Sequence, residues 1–312
     1  MMAIQILLLL AGLALIVFGA DWLVDGASAI ARKAGISEFV IGLTIVGFGT
    51  SCPELVVSLT GALQGNADIS VGNVIGSNIF NTLLILGLTT VIAPVAVTRS
   101  NSRRDIPIAL LVTFLFVVLA MTGTQLTRIE GIVFLVVFAA YMFYCFKSDS
   151  GTSGEEAEAR VKSIWLAILL VAAGLGGLIF GGQLFVNNAT AIARALGVSD
   201  KFIAITLLAG GTSLPELATC IVAAAKKKDQ LALGNVLGSN VFNILLILGA
   251  SATVVPLSTA SITLVDLGAV LLSAVLVWLW TYTGRRDRID RWEGVVMLLG
   301  FAAYYTWLFI NL

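Results

Sequence analysis

Gly49-Thr50-Ser51-Cys52-Pro53-Glu54 returns in the second half of the chain as Gly211-Thr212-Ser213-Leu214-Pro215-Glu216. A second stretch, Gly72-Asn73-Val74-Ile75-Gly76-Ser77-Asn78-Ile79-Phe80-Asn81, returns as Gly234-Asn235-Val236-Leu237-Gly238-Ser239-Asn240-Val241-Phe242-Asn243. Both copies lie 162 residues from their originals. Sliding the chain by that offset pairs residues 18–87 with 180–249 without a gap, and about 32 of the 70 pairs are identical. Pro53 falls on Pro215 and Pro94 on Pro256, which accounts for four of the five prolines. A repeat this long is one structural unit used twice, and it has to be read before any motif inside it.

What surrounds the repeat decides where the unit lives. The 312 residues are 59% hydrophobic and 12% charged, whereas soluble domains carry about 25% charged residues. Apolar stretches near the ~20 residues that cross a bilayer recur along the whole chain. They predict an all-α polytopic membrane protein with ten transmembrane helices, near residues 3–31, 38–63, 69–93, 105–122, 129–146, 163–194, 201–225, 230–254, 261–282 and 292–311. Residues 4–18 lack a basic leader and a cleavage-like site, so they read as the first helix and not as a signal peptide. The Ser-, Gly- and Glu-rich stretch 147–162 is the one obvious linker. It separates a first five-helix repeat, 1–146, from a second, 163–312. Because five spans separate equivalent points, the second repeat enters the membrane from the opposite side, giving two inverted five-helix repeats.

Loop charge sets the orientation. After spans 1, 3, 5, 7 and 9 lie 15 of the 18 Lys and Arg residues, and the other side has only Arg128, Arg194 and Lys201. By the positive-inside rule both termini are outside the cell membrane and the linker is cytosolic. Formal net charge is zero, which argues against nucleic acid as a partner. Cys52, Cys145 and Cys220 have no metal-like spacing and cannot form an even disulfide framework. Lys226, Lys227 and Lys228, and Glu155, Glu156 and Glu158, read as solvated loop charges.

A proline in mid-span removes a backbone donor and clashes with the preceding turn. Pro53 and Pro215 therefore predict freed carbonyls near residues 47–50 and 209–212. Such carbonyls are tolerated in a membrane only where they face protein, water or a ligand. Beside each proline is a carboxylate, Glu54 or Glu216, and an acid at mid-span is by default a functional-site candidate. A structural ion pair is the alternative, yet no Lys or Arg lies in the interior of a predicted span. A cation from solution is the expected counter-charge. Ser77 and Asn81, and likewise Ser239 and Asn243, are four apart and share one helix face. A ligand set of carboxylate, carbonyl, hydroxyl and amide oxygens, in a chain with no histidine, suits hard ions such as Na⁺ and Ca²⁺. Gly12 and Gly19, and Gly174, Gly176, Gly177, Gly181 and Gly182, read as close helix contacts, with a sliding surface as the bolder reading.

The paired GTSxPE and GNxxGSNxFN segments resemble the two α-repeats of the calcium/cation antiporter superfamily, in particular its prokaryotic sodium/calcium exchanger branch. The resemblance covers nearly the whole chain. It implies four sites at mid-membrane, built by the second, third, seventh and eighth spans. The calcium site would take the carboxylates of Glu54 and Glu216 and the carbonyls of Thr50 and Thr212. One outer sodium site would draw on Glu54, Ser77, Ala209, Thr212 and Ser213, and its mate on Glu216, Ser239, Gly47, Thr50 and Ser51, with Asn81 and Asn243 at the middle position. The first and sixth spans would slide across this core.

Gly47 stands where family members often have Ala. Asn243 is neutral where potassium-dependent members have Asp, which argues against potassium coupling, and the linker lacks the calcium-sensing domains of animal exchangers. The implied activity is electrogenic exchange of three Na⁺ for one Ca²⁺, with no cofactor and no partners beyond the two ions and the bilayer. A calcium/proton antiporter would use the same glutamates. A passive cation channel is disfavoured by the inverted halves, and an enzyme by the lack of any nucleophile with a base.

Overall fold

The computed structural model describes residues 2–65, 67–148, 163–197, 209–283 and 288–311, with the side chains at 67, 68 and 209 left aside. Most of the linker, the start of the seventh predicted span, and Arg285 and Arg286 lie outside these residues. The helices are α1 (Met2–Ala34), α2 (Glu38–Thr50), α3 (Cys52–Leu63), α4 (Ile69–Ile92), α5 (Asn101–Thr122), α6 (Arg128–Ser148) and α7 (Ile164–Ala195). They continue as α8 (Ala209–Gly211), α9 (Leu214–Ala225), α10 (Asp229–Val254), α11 (Leu264–Trp280) and α12 (Arg291–Asn311). Seven are long and apolar enough to cross a membrane, α2 and α3 form an eighth span bent by 45°, and α9 and α11 are shorter apolar helices.

Polarity is arranged as a bilayer demands. Trp165, Ile310 and Ile129 expose three-quarters or so of their surface (78%, 78% and 74%). Glu54, Glu216, Thr50, Ser213, Asn235 and Ser239, by contrast, are fully buried. A water-soluble core would reverse that distribution. The most enclosed spans are α4 and α10, with 72% and 89% of their apolar windows buried, against 17% for α1 and α12. The helices carrying the repeated GNxxGSN segments are therefore the centre of the molecule.

Glycine makes that centre possible. A Cβ on Gly42, Gly234 or Gly238 would meet the backbone carbonyl of Leu231, Phe39 or Leu43 closer than 3.0 Å. Hence α2 and α10 touch backbone to backbone. At the periphery, α1 and α7 interlock antiparallel. A Cβ on Gly19 would lie 2.8 Å from the Gly174 carbonyl, one on Gly12 2.8 Å from that of Gly181, and one on Gly26 2.7 Å from that of Ala167. Small residues seven apart on both helices let the two backbones approach closely, as small residues do in membrane helix contacts. Gly12, Gly19, Gly174 and Gly181 thus join the two long helices to one another, in keeping with the close-contact reading, and are not available as a face sliding over the core.

Two short antiparallel ribbons tie the halves together: Val95–Ala96 (β1) with Arg288–Ile289 (β4), and Gln125–Leu126 (β2) with Leu257–Ser258 (β3). In the numbering of the repeat β3 stands where β1 does, so each half lends a strand to the other. Nothing in the sequence reading foresaw these two-residue pairings.

Candidate cation site

The break between α2 and α3 falls at Ser51 (φ −83°, ψ 3°), with Pro53 in the first turn of α3. Ser213 (φ −88°, ψ 7°) and Pro215 do the same before α9. A proline is accommodated at a helix start because its missing N–H would be unpaired there anyway. The acid next to it is thereby carried on the first turn of a new helix, α3 for Glu54 and α9 for Glu216. The break frees less backbone than the proline alone implies, because the Gly47 carbonyl still accepts the Ser51 N–H at 3.1 Å.

Each acid is held by the other half. Ser51 Oγ donates to Glu216 Oε1 at 3.1 Å, and Ser213 Oγ donates to Glu54 Oε1 at 3.1 Å. Ser213 Oγ also lies 3.5 Å from Ser77 Oγ, and Ser239 Oγ lies 3.5 Å from the Gly47 carbonyl. Thr212 stands beside Glu54, and Thr50 and Ser239 beside Glu216. The structure therefore brings together Glu54, Ser77, Thr212 and Ser213 as one group, and Glu216, Ser239, Gly47, Thr50 and Ser51 as another. Ala209 lies on α8, and its side chain is outside the described residues.

Both acids keep an unpartnered oxygen. Glu54 Oε2, Glu216 Oε2, Thr212 Oγ1, Asn243 Oδ1 and both amide atoms of Asn81 are buried without a hydrogen bond. Buried polar atoms are satisfied in the large majority of cases, so an accumulation on one repeated residue set demands an explanation. No ion pair reaches either glutamate among the described residues, and those residues contain no cluster of three or more His, Cys, Asp or Glu. Two carboxylates completed by neutral oxygens form a hard donor set that fits alkali and alkaline-earth ions.

π-helical turns flank this set. Asn81 lies in the turn Phe80–Leu86 of α4 and Asn243 opens the turn Asn243–Leu248 of α10. Such turns are rare and frequent at functional sites. A supporting ring of asparagines was not singled out from the sequence. Thr50 Oγ1 donates to Asn235 Oδ1 at 3.2 Å, and Asn73 Nδ2 donates to Ser58 Oγ at 3.0 Å. Asn243 Nδ2 donates to Asn78 Oδ1 at 2.9 Å, and Asn240 Nδ2 to Thr82 Oγ1 at 2.8 Å. Asn73, Asn78, Asn235 and Asn240 are identical between the repeats, which is the signal that could have found them. Thr82 carries none, since its repeat partner is Ile244.

Comparison with known proteins identifies the family. The sequence profile described as sodium/calcium exchanger protein matches residues 4–147 and 166–310. The chain belongs to the sodium/calcium exchanger family. The protein named CaxA of Alkalimonas amylolytica is 40% identical over 99% of both chains. The sodium/calcium exchanger MaX1 of Methanosarcina acetivorans is 35% identical, again over 99% of each. A solved structure of the sodium-calcium exchanger NCX_Mj superimposes with a TM-score of 0.86 at 34% identity, covering 97% of this chain and 98% of that one. The exchanger is thus a multi-pass membrane protein and a cation antiporter with calcium among its ions. Its family is one of transporters.

Proposed function

We propose that this chain exchanges Na⁺ for Ca²⁺ by alternating access, three Na⁺ against one Ca²⁺, across the plasma membrane. The observation that carries the proposal is the set of buried, unpartnered oxygens on Glu54, Glu216, Thr212, Asn81 and Asn243. Ca²⁺ binds between the two carboxylates and the carbonyls of Thr50 and Thr212. Na⁺ occupies one place near Glu54, Ser77, Ala209, Thr212 and Ser213, and another near Glu216, Ser239, Gly47, Thr50 and Ser51. A third Na⁺ uses the neutral amide oxygens of Asn81 and Asn243. Either load neutralises the two acids, so the ions compete.

The chain crosses the bilayer ten times as two inverted halves, residues 1–146 and 163–312. Both termini are outside and the stretch 147–162 is in the cytosol. The interlocked α1 and α7 move over the core as one body. Gly49 and Gly211, each of which receives a side chain of α7 (Leu175 and Val186), are the notches over which that body shifts.

The test is Ca²⁺ uptake into reconstituted vesicles loaded with Na⁺, with pH clamped equal on both sides. Uptake should require the outward Na⁺ gradient and fall to the protein-free background in Glu54→Gln and in Glu216→Gln, while both variants stay monodisperse. A divalent ion that loses one of two charged ligands is left with a net charge in a buried site. Wild-type exchange in either variant removes the site assignment. Uptake driven by a pH gradient without Na⁺ replaces the sodium reading with the proton one.

A further inference from the structure

Two of the lysines expected to be solvated loop charges are ion-paired instead. Lys226 Nζ, just past the end of α9, lies 2.7 Å from Asp21 Oδ1 and 2.6 Å from Asp25 Oδ1 on α1, and also donates to the Asp21 carbonyl at 3.2 Å. Lys228 Nζ pairs with Glu38 Oε1 at the start of α2. Asp21 and Asp25 are four apart and share the face of α1 turned to α9. Lys226 therefore joins the α1–α7 pair to the very helix that carries Glu216 in its first turn.

The internal repeat makes this contact informative. If the two halves were chemically equivalent, closing one end of the core or the other would be equally favourable. Moving Asp21 and Asp25 along the repeat gives Gln183 and Asn187, and moving Lys226 and Lys228 back along it gives Gln64 and Asn66. All four replacements are uncharged. The ionic clasp therefore exists at one end of the molecule and its repeat-related counterpart does not.

A second observation lies past the middle of α10, in the half away from the clasp. A narrow apolar cleft of about 180 Å³, too constricted for a water molecule, is lined by Phe48, Ser51, Cys52, Leu55, Phe242 and Ile247. Phe242 and Ile247 stand 13 and 18 residues along α10 from Asp229, which follows the clasp directly. At 1.5 Å per residue the cleft is roughly 20–27 Å from the clasp. One side of Ser51 is thus approached by a cleft while the opposite end is pinned by charge.

We infer that Lys226, with Asp21 and Asp25, is a one-sided clasp that biases the alternating-access equilibrium toward the state closed at the Arg32 and Lys33 end of α1. The inference rests on the alternating-access reading above. It predicts an exchanger whose two faces are unequally populated at rest, although its two halves share their binding residues.

Cys52 supplies the probe, because it is half-buried in the cleft whereas Cys145 and Cys220 are fully buried. In a background with those two replaced by serine, a membrane-impermeant maleimide applied to oriented vesicles from the side away from the clasp reports the widened cleft, since the cleft as it stands admits no water. Lys226→Gln, and separately Asp21→Asn with Asp25→Asn, should slow Cys52 labelling about three- to tenfold, the range that two part-exposed ion pairs supply. High salt should narrow the difference. Building the clasp at the other end, with Gln64→Lys, Gln183→Asp and Asn187→Asp while Lys226 is kept, should slow labelling as well, and it reads the same equilibrium should Lys226→Gln fail to fold. Labelling unchanged in the clasp-removing variants, or in the clasp-adding one, overturns the inference. The labelling needs no ion flux, so a failure here is separate from a wild-type protein that shows no sodium-driven uptake.

Discussion

Ser51 and Ser213 each stand in one half of the chain and spend their hydroxyl proton on the acid of the other, at 3.1 Å in both cases. Donation fixes the carboxylate and turns the serine lone pairs outward, so the same side chain both steadies the acid and remains free to face a small cation. Ser51→Ala or Ser213→Ala removes both contributions. A hydrogen bond to a charged group is worth about 1.5–3 kcal/mol, so the Na⁺ concentration for half-maximal Ca²⁺ exchange should rise at least about tenfold, while Ca²⁺ affinity, set by the two acids, changes less. Dose–response curves for each ion, taken separately, distinguish the outcomes: an equal loss for both ions would place the serines in the calcium site itself. The acids and serines were legible in the sequence because each occurs twice beside a proline. The asparagines behind them repeat as well, yet repetition alone assigns them no task, since only the fold shows that Asn78 turns the Asn243 amide so that its oxygen is the unpartnered atom.

At the scale of elements, hydropathy located the helices among the described residues, and Pro53 the bend. Three features did not. The ribbons pair only two residues each, too few to leave an alternating pattern. The π turns depend on how a wide helical turn settles among neighbours, which no local propensity records. The pairing of Lys226 joins residues 201 and 205 positions apart in the chain, and charge at a helix end is ordinarily solvated.

The glycines were legible as contacts but not as partners, and the partners now yield a prediction. In α10, Gly238 has the backbone of Leu43 against it, and backbone cannot yield as a flexible side chain can. Gly238→Ala should destabilise the protein by about 1–3 kcal/mol, the usual cost of overpacking. Gly268 of α11 is exposed, and a Cβ there would meet no described atom within 4 Å. Gly268→Ala should therefore be neutral or stabilising by up to about 1 kcal/mol, as alanine for glycine is in a helix interior. Thermal unfolding in detergent measures both; equal melting temperatures for the two variants would mean that α2 and α10 are not in backbone contact.

For the whole molecule, charge arithmetic decides what the membrane potential can do. With both acids ionised, the empty core carries roughly two negative charges, the calcium-loaded core none, and a core holding three Na⁺ one positive charge. Carrying the bare pair through a closed intermediate is opposed by desolvation, which under the proposed mechanism restricts crossing to the loaded core and couples the two fluxes. On the proposed count of three Na⁺ for one Ca²⁺, one net charge moves with sodium in each cycle, and a potential acts on it with about 2.3 kcal/mol per 100 mV. For vesicles with Na⁺ inside and Ca²⁺ outside, sodium exit carries positive charge out, so an inside-positive potential assists calcium entry. Clamping that potential at about 60 mV with valinomycin and a K⁺ gradient should raise the equilibrium Ca²⁺ ratio about tenfold, since 1.4 kcal/mol is a factor of ten. An inside-negative clamp should lower it equally. A calcium ratio that follows the sodium gradient yet ignores the potential would mean two Na⁺ per cycle, and Asn81 and Asn243 would then have no third ion to hold.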